Sequence, residues 1–248
     1  MTFDPAAFRE ELIRVFRENG LDGLLTGEKA DALTAFALDL VETNERFNLT
    51  AITSPGEIVL KHFADCAALV PHLPERGEVL DVGCGAGFPS LVLAILCPSL
   101  FVTALDATEK KAGFVKAAAA KRGLSNLTAV AGRAESLALP GSSYRERFDV
   151  VTARAVAPLT LLSELCLPFV SPGGVFLAMK GQAAEREAEE AKRAIPKLGG
   201  ELKTVLSRTL SDGISEPIRH AVLVIEKKRS TPPEFPRPYA RMLKKPLS

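Results

Sequence analysis

Val79-Leu-Asp-Val-Gly-Cys-Gly-Ala-Gly-Phe-Pro89 is the stretch that decides how this chain folds. An apolar run enters Asp81, glycines follow at Gly83, Gly85 and Gly87, and a helix-like run from Ser90 to Leu96 comes directly after. Glycine lets a backbone turn tightly and lets a ligand approach without meeting a Cβ. The order is strand, nucleotide-cradling loop, helix.

The spacing separates one cofactor class from another. A dinucleotide fingerprint is G-x-G-x-x-G, whose third glycine brings helix and strand together beside a pyrophosphate. Here the pattern is G-x-G-x-G, and Phe88 stands where that third glycine would be. A bulky residue there suits an adenosine ligand without phosphates, of which S-adenosylmethionine is the common one. Asp106 closes the apolar run Phe101–Leu105, 19 residues beyond Gly87. An acid about 20 residues on, at the end of the second strand, is placed to hydrogen-bond ribose hydroxyls.

Outward from this loop, strand-like runs fall at 78–82, 100–105, 127–131, 148–153, 175–179 and 220–226. Helix-like runs lie between them at about 88–96, 108–122, 158–169 and 182–197. Such alternation builds a parallel sheet covered on both faces. A strand near 201–208 and a turn around Asp212-Gly213 predict a closing antiparallel hairpin with 220–226. Residues 5–70 read as helical. Phe8, Leu12, Val15 and Phe16 share one face, and 28–47 is a second periodic run. Ser54-Pro-Gly-Glu57 has the composition of a capping box, for a helix ending before Pro71. The fold class expected is α/β: a Rossmann-like class I S-adenosylmethionine-dependent methyltransferase sheet with an N-terminal helical cap. The chain divides into a helical cap (1–72), a cofactor-binding methyltransferase core (73–228) and a basic proline-rich tail (229–248). Pro232, Pro233, Pro236 and Pro238 predict a tail that is extended rather than helical.

With 47% hydrophobic and 25% charged residues in 248, the composition is that of a soluble globular protein. Apolar runs such as Leu91–Cys97 fall far short of the ~20 residues a membrane span needs. No basic-then-apolar leader opens the chain. Cys66, Cys84, Cys97 and Cys166 form no C-x-x-C pair and read as reduced, buried thiols of a cytoplasmic protein; no metal site is expected. The formal net charge of +1 conceals an asymmetry: residues 227–248 carry seven Lys or Arg against one Glu, and the remainder is net negative. A basic tail on a mildly acidic body points to a polyanionic partner.

In a doubly wound sheet, ligands bind beyond the carboxyl ends of the strands. Those ends hold the glycine loop, Asp106, Arg133-Ala134-Glu135, Ala153-Arg154-Ala155 and Lys180-Gly181. Ala134 and Glu135 sit where an adenine would lie, a small residue admitting the ring and a carboxylate reading its edge. Glu135 also suits a helix first turn, Arg154 an ion pair and Lys180 a plain surface. A methyl on a sulfonium is already activated. If the acceptor is a ring nitrogen with a free lone pair, catalysis is mostly alignment, which can supply ~7–11 kcal/mol. No general base is then required, and none of the three histidines follows a sheet strand. An (Asn/Asp)-Pro-Pro-aromatic motif, as used on exocyclic amines, is missing after the fourth strand, where Ala153-Arg-Ala-Val156 stands. No cysteine lies in a strand-end loop beside proline, as pyrimidine C5 chemistry needs. A purine ring nitrogen or a hydroxyl is left.

Taken together these residues resemble a known family, the bacterial small-subunit (16S) ribosomal RNA guanine-N7 methyltransferases, or glucose-inhibited division B family. The likeness runs through Asn48-Leu-Thr-Ala-Ile52, Lys61-His-Phe-Ala-Asp65, the glycine loop to Pro89, Arg133-Ala-Glu135, Ala153-Arg-Ala155 and Lys180-Gly181. In the tail, Pro236-Arg237 and Lys244-Lys-Pro-Leu247 match, while Ala240 and Met242 stand where the family often has Gly and Pro. The resemblance implies S-adenosylmethionine as cofactor, bound by Gly83, Phe88, Ala134, Glu135 and Arg154, to which the spacing adds Gly85 of the loop and the ribose acid Asp106. It implies methylation of a guanine N7 in the decoding region of 16S RNA, with rRNA or the small ribosomal subunit as partner and a monomeric enzyme. Lys61, His62, Lys180, Arg237, Lys244 and Lys245 are the expected RNA-binding residues. Arginine grips guanine through O6 and N7 together, which would occupy the nucleophile. Arg154 is therefore expected at cofactor or phosphate. A small-molecule methyltransferase and a non-catalytic RNA-binding assembly factor are the competing readings.

Overall fold

The Val79–Val82 run forms the middle of strand β1 (Gly77–Val82), around which the rest of the molecule is arranged. The computed structural model describes residues 3–154 and 156–247. Strands β2 (Leu100–Asp106), β3 (Leu127–Ala131), β4 (Phe148–Arg154) and β5 (Val170–Lys180) follow β1 in parallel. The last two, β6 (Gly200–Leu210) and β7 (Ile218–Lys227), form the expected hairpin. The order is β3-β2-β1-β4-β5-β7-β6, with β7 antiparallel to both its neighbours. Strand order reverses between β1 and β4, so a crevice opens there at the carboxyl edge.

Successive residues of a strand point to opposite faces, and two cores result. Val79, Val102, Val150 and Leu177 face one; Leu80, Leu105, Val151 and Ala178 face the other. On the first face lie α1 (Pro5–Glu18), α2 (Gly27–Asn44), the short α3 (Pro55–Glu57), a π-helix (Ile58–Ala64), α4 (Asp65–Ala67), α5 (Ser90–Leu96) and α6 (Glu109–Lys121). The Asp4 carboxylate accepts from the Ala6 and Ala7 N–H groups to start α1, whose Phe8, Leu12, Val15 and Phe16 are buried. The helical cap thus shares a core with the sheet. Phe36 of α2 packs on Phe63, Phe88 and Phe114, with ring centroids 5.1–6.4 Å apart.

The other face is covered by α7 (Ala134–Leu137), α8 (Leu159–Cys166), α9 (Ala184–Ala191) and α10 (Ala194–Lys197). It is also covered by the C-terminal tail, and here the sequence expectation fails. Residues Tyr239–Lys244 form a helix, α11, with Met242 fully buried. Pro238 immediately precedes the helix, a place where proline costs no hydrogen bond. The tail is anchored through polar contacts. Arg145 donates to the carbonyls of Thr231, Pro232 and Phe235, and buried Lys227 bonds Leu167 O and Thr231 Oγ1.

A second departure lies at 54–70. Ser54 Oγ donates to the Glu57 carboxylate at 2.7 Å instead of capping the backbone. The single helix expected there is interrupted by the seven-residue π stretch, and Pro71 lies in a 3-10 turn, Val70–His72. Wide turns of this kind occur frequently at functional sites. The four cysteines are free thiols, three of them buried, and burial raises the pKa of each.

Candidate active site

Two clefts open at the carboxyl edge, one on each side of the end of β4. The first encloses about 160 Å³ and is lined by Val82, Gly83, Leu105, Ala107, Gly132–Glu135, Val156, Leu165 and Tyr239. The second encloses about 490 Å³ between the π-helix, Arg154, Lys180 and the start of β7.

The glycine loop shapes the first cleft. Gly83, Gly85 and Gly87 have φ of +75°, +55° and +93°, a region glycine enters without strain. At Gly83 a Cβ would sit 2.6 Å from Val156 Cγ2, and at Gly87 one would sit 2.4 Å from Leu91 Cδ1. Asp106 holds the loop from β2: Oδ2 accepts from Gly85 N–H at 2.9 Å and Oδ1 from Thr108 N–H at 2.8 Å. Each oxygen retains lone-pair capacity for a ribose hydroxyl. Asp81, fully buried, accepts from Ser90 N–H at 3.1 Å and so ties β1 to the start of α5. Burial pushes its pKa up to about 6. Ala134 and Glu135 begin α7 at the cleft wall. A backbone without Cβ atoms, an acid at the second strand end and a small residue beside a carboxylate together fit an adenosyl group.

Phe88, expected at the cofactor, turns its ring away from this cleft. It is 4% exposed, stacks on His62 at 4.1 Å and has the Arg154 guanidinium 5.2 Å from its centre. The ring thus locks the helical cap to the loop, leaving its backbone as the part near the glycines.

Arg154 organises the second cleft. Its Nη1 donates to Lys61 O at 2.9 Å and meets Asp65 Oδ2 at 3.3 Å, while Nη2 donates to His62 Nδ1 at 2.9 Å. Guanidinium is a donor only, so Nδ1 must accept and the His62 proton sits on Nε2. Nε2 lies 3.1 Å from Thr50 Oγ1, to which it donates. Burial, reinforced by the Arg154 charge, drives the His62 pKa down to about 3. The other Asp65 oxygen takes His220 Nδ1 at 2.6 Å from β7. His62 and Asp65 both reach Arg154 from one helical segment, and His220 joins them from a strand 155 residues later in the chain than Asp65. No local pattern announces that last member.

Besides buried His62, two more residues expected at an RNA surface point inward. Lys180 is nearly buried; its Nζ bonds Glu187 at 2.8 Å and Ala157 O at 2.6 Å, fixing the loop after β4. Arg237 binds Glu164, which is only 1% exposed, through Nε at 2.8 Å and Nη2 at 2.6 Å. Each cation is held against a carboxylate, part-exposed Glu187 or buried Glu164, and loss of either partner would leave a charge uncompensated. Lys61 is part-exposed and paired with Glu57 at 2.6 Å, and Lys244 and Lys245 are exposed. Ala155, the last residue of its motif, lies outside the described residues. Among the described residues no grouping of His, Cys, Asp or Glu could hold a metal ion, and no helix is long and apolar enough to cross a membrane.

A glycine loop at the reversal of strand order, an acid ending β2 and a second cleft alongside define a class I S-adenosylmethionine-dependent methyltransferase. The crystal structure of M. jannaschii TYW2 in complex with AdoMet has this fold, with a TM-score of 0.51 and 16% identity over 66% of this chain and 75% of that one. Residues 29–213 match the model of a family described as rRNA small subunit methyltransferase G. The protein of that name from Oceanobacillus iheyensis is 40% identical over 96% of this chain and 98% of its own length. The one from Lacticaseibacillus paracasei is 41% identical over 98% of both. The chain belongs to the rRNA small subunit methyltransferase G family and is an enzyme of methyl transfer.

Proposed function

We propose that this enzyme methylates N7 of a guanine in the decoding region of 16S ribosomal RNA, using S-adenosylmethionine. The observation that carries this reading is the state of the second cleft. His62, Asp65, Lys61 and Lys180 are each committed to a partner inside the protein. His62 is held neutral, with its acceptor nitrogen occupied by Arg154. A cleft without a free base suits a nucleophile that carries its own lone pair, and guanine N7 does.

The cofactor supplies a methyl group already activated on sulfur. The protein supplies position. Gly83 and Gly85 would admit the adenosyl group to the first cleft, Asp106 would bind its ribose and Ala134 and Glu135 its base. Arg154 is immobilised by three partners, so it is a fixed positive wall of the second cleft. This supports a role toward the cofactor or a phosphate and against one at N7. Alignment of this kind can contribute ~7–11 kcal/mol. Exposed Lys244 and Lys245, with Lys61 at the rim, would meet RNA phosphates.

The test is to incubate the protein with labelled S-adenosylmethionine and either free 16S RNA or small subunits, then map the label. A 7-methylguanine leaves the backbone open to scission by aniline after borohydride reduction. A single decoding-region guanine cleaved in this way is the expected result. Label resistant to that chemistry would exclude N7, and label confined to small molecules would favour the small-molecule reading.

A further inference from the structure

The first cleft has a wall from an unexpected source. Tyr239, at the start of α11 in the C-terminal tail, lines it together with Gly83, Arg133, Ala134, Glu135 and Leu165. The Arg133 guanidinium lies 5.8 Å from the centre of the Tyr239 ring. The tail is held at this point by α8. Glu164 pins Arg237 two residues before Tyr239, and the next residue of α8, Leu165, faces the cleft. Met242, one turn along α11, is fully buried. The ring is therefore placed by a buried ion pair and an apolar anchor, and it stands beside the two residues that start α7.

We propose that Tyr239 is a cofactor-binding residue: its ring forms the outer wall of the adenine subsite, so the C-terminal tail completes the cofactor site. This rests on the reading of the first cleft as the adenosyl site. Adenine has an apolar, polarisable face, and such a face packs well on an aromatic ring whose other neighbour is a guanidinium. Stacking of a base on an aromatic side chain is worth ~1–3 kcal/mol by alanine substitution, and a contact near the lower end, ~1.4 kcal/mol, is a tenfold loss in affinity.

Calorimetry on the full chain tests this with S-adenosylmethionine, S-adenosylhomocysteine and 5′-methylthioadenosine. Tyr239→Ala should weaken all three by the same factor, roughly tenfold, because the contact is at the adenosine they share. Tyr239→Phe keeps the ring and should stay within about twofold of the wild type. A second readout does not depend on the alanine variant folding. The chain has two tyrosines and no tryptophan, so ligand quenching of its emission reports on Tyr144 or Tyr239 alone. Quenching should survive Tyr144→Phe and vanish in Tyr239→Phe. Unchanged affinities in Tyr239→Ala, an equal loss in Tyr239→Phe, or quenching that follows Tyr144 would each overturn the assignment. Failure of the wild-type chain to bind any of the three would instead overturn the reading of the cleft.

Discussion

Among the groups whose pKa folding lowers, His62 gives acid its largest hold on the stability of this protein. Its imidazole accepts a hydrogen bond from Arg154 at Nδ1, so a proton there would set two donors and two like charges against each other at 2.9 Å. The folded-state pKa is about 3, against 6.5 for the free side chain. A depressed pKa means that the unfolded chain binds the proton first. The stabilisation is therefore complete above pH 6.5 and is lost as the pH falls toward 3. Between pH 8 and pH 5 the unfolded chain takes up nearly one proton at this site and the folded chain almost none, which integrates to about 2 kcal/mol. Asp81 acts in the opposite sense. Its raised pKa of about 6 adds stability as the pH falls, so the wild type alone would show only the net effect. The comparison is with His62→Asn, whose side-chain oxygen can still accept from Arg154 but cannot titrate in this range. Urea unfolding at pH 8, 6.5 and 5 gives the stability of each protein by linear extrapolation. The wild type should be the more stable at pH 8, since the variant loses the stack on Phe88. That margin should shrink by about 2 kcal/mol at pH 5. A margin constant to within about 0.5 kcal/mol across the series would refute the reasoning, because it would mean that His62 titrates alike in both states.

Arg237→Ala should cost about 3–5 kcal/mol in the same unfolding assay, because it strands the buried Glu164 carboxylate without its partner. Glu164→Gln in that background should recover part of the loss, and no recovery would mean that the pair is not the cause. Removal of residues 230–248 would thus damage stability as well as RNA affinity, contrary to a tail that acts as a loose arm. Asp106→Ala should weaken S-adenosylmethionine binding at least roughly tenfold by freeing the Gly85 and Thr108 N–H groups and removing the ribose acceptor. Unchanged affinity in calorimetry would remove Asp106 from the site. Lys244→Ala with Lys245→Ala should lower the slope of log affinity for RNA against log salt by about 1.5, and an unaltered slope would place RNA elsewhere.

The strand, loop and helix around Gly83–Gly87 were legible in the sequence because they are written in short-range spacing. Short apolar runs make strands that are buried on both faces, and glycines at every second position make the loop. The same locality allowed Asp106, Ala134 and Glu135 to be named, since each follows the end of a strand whose place in a doubly wound sheet is constrained. Tertiary structure alone decided the direction each side chain faces. Phe88 could face a ligand or the cap, and packing on Phe36, Phe63 and His62 turned it to the cap. Lys180 and Arg237 are cations in a sequence and become struts only when Glu187 and Glu164 are folded against them. His220 reaches Asp65, and Tyr239 reaches the wall of the first cleft, across more than a hundred residues of chain. Such contacts depend on the order of β7 in the sheet and on the docking of the tail. Periodicity reports which face of an element is apolar, and it carries no information about which distant element will cover it.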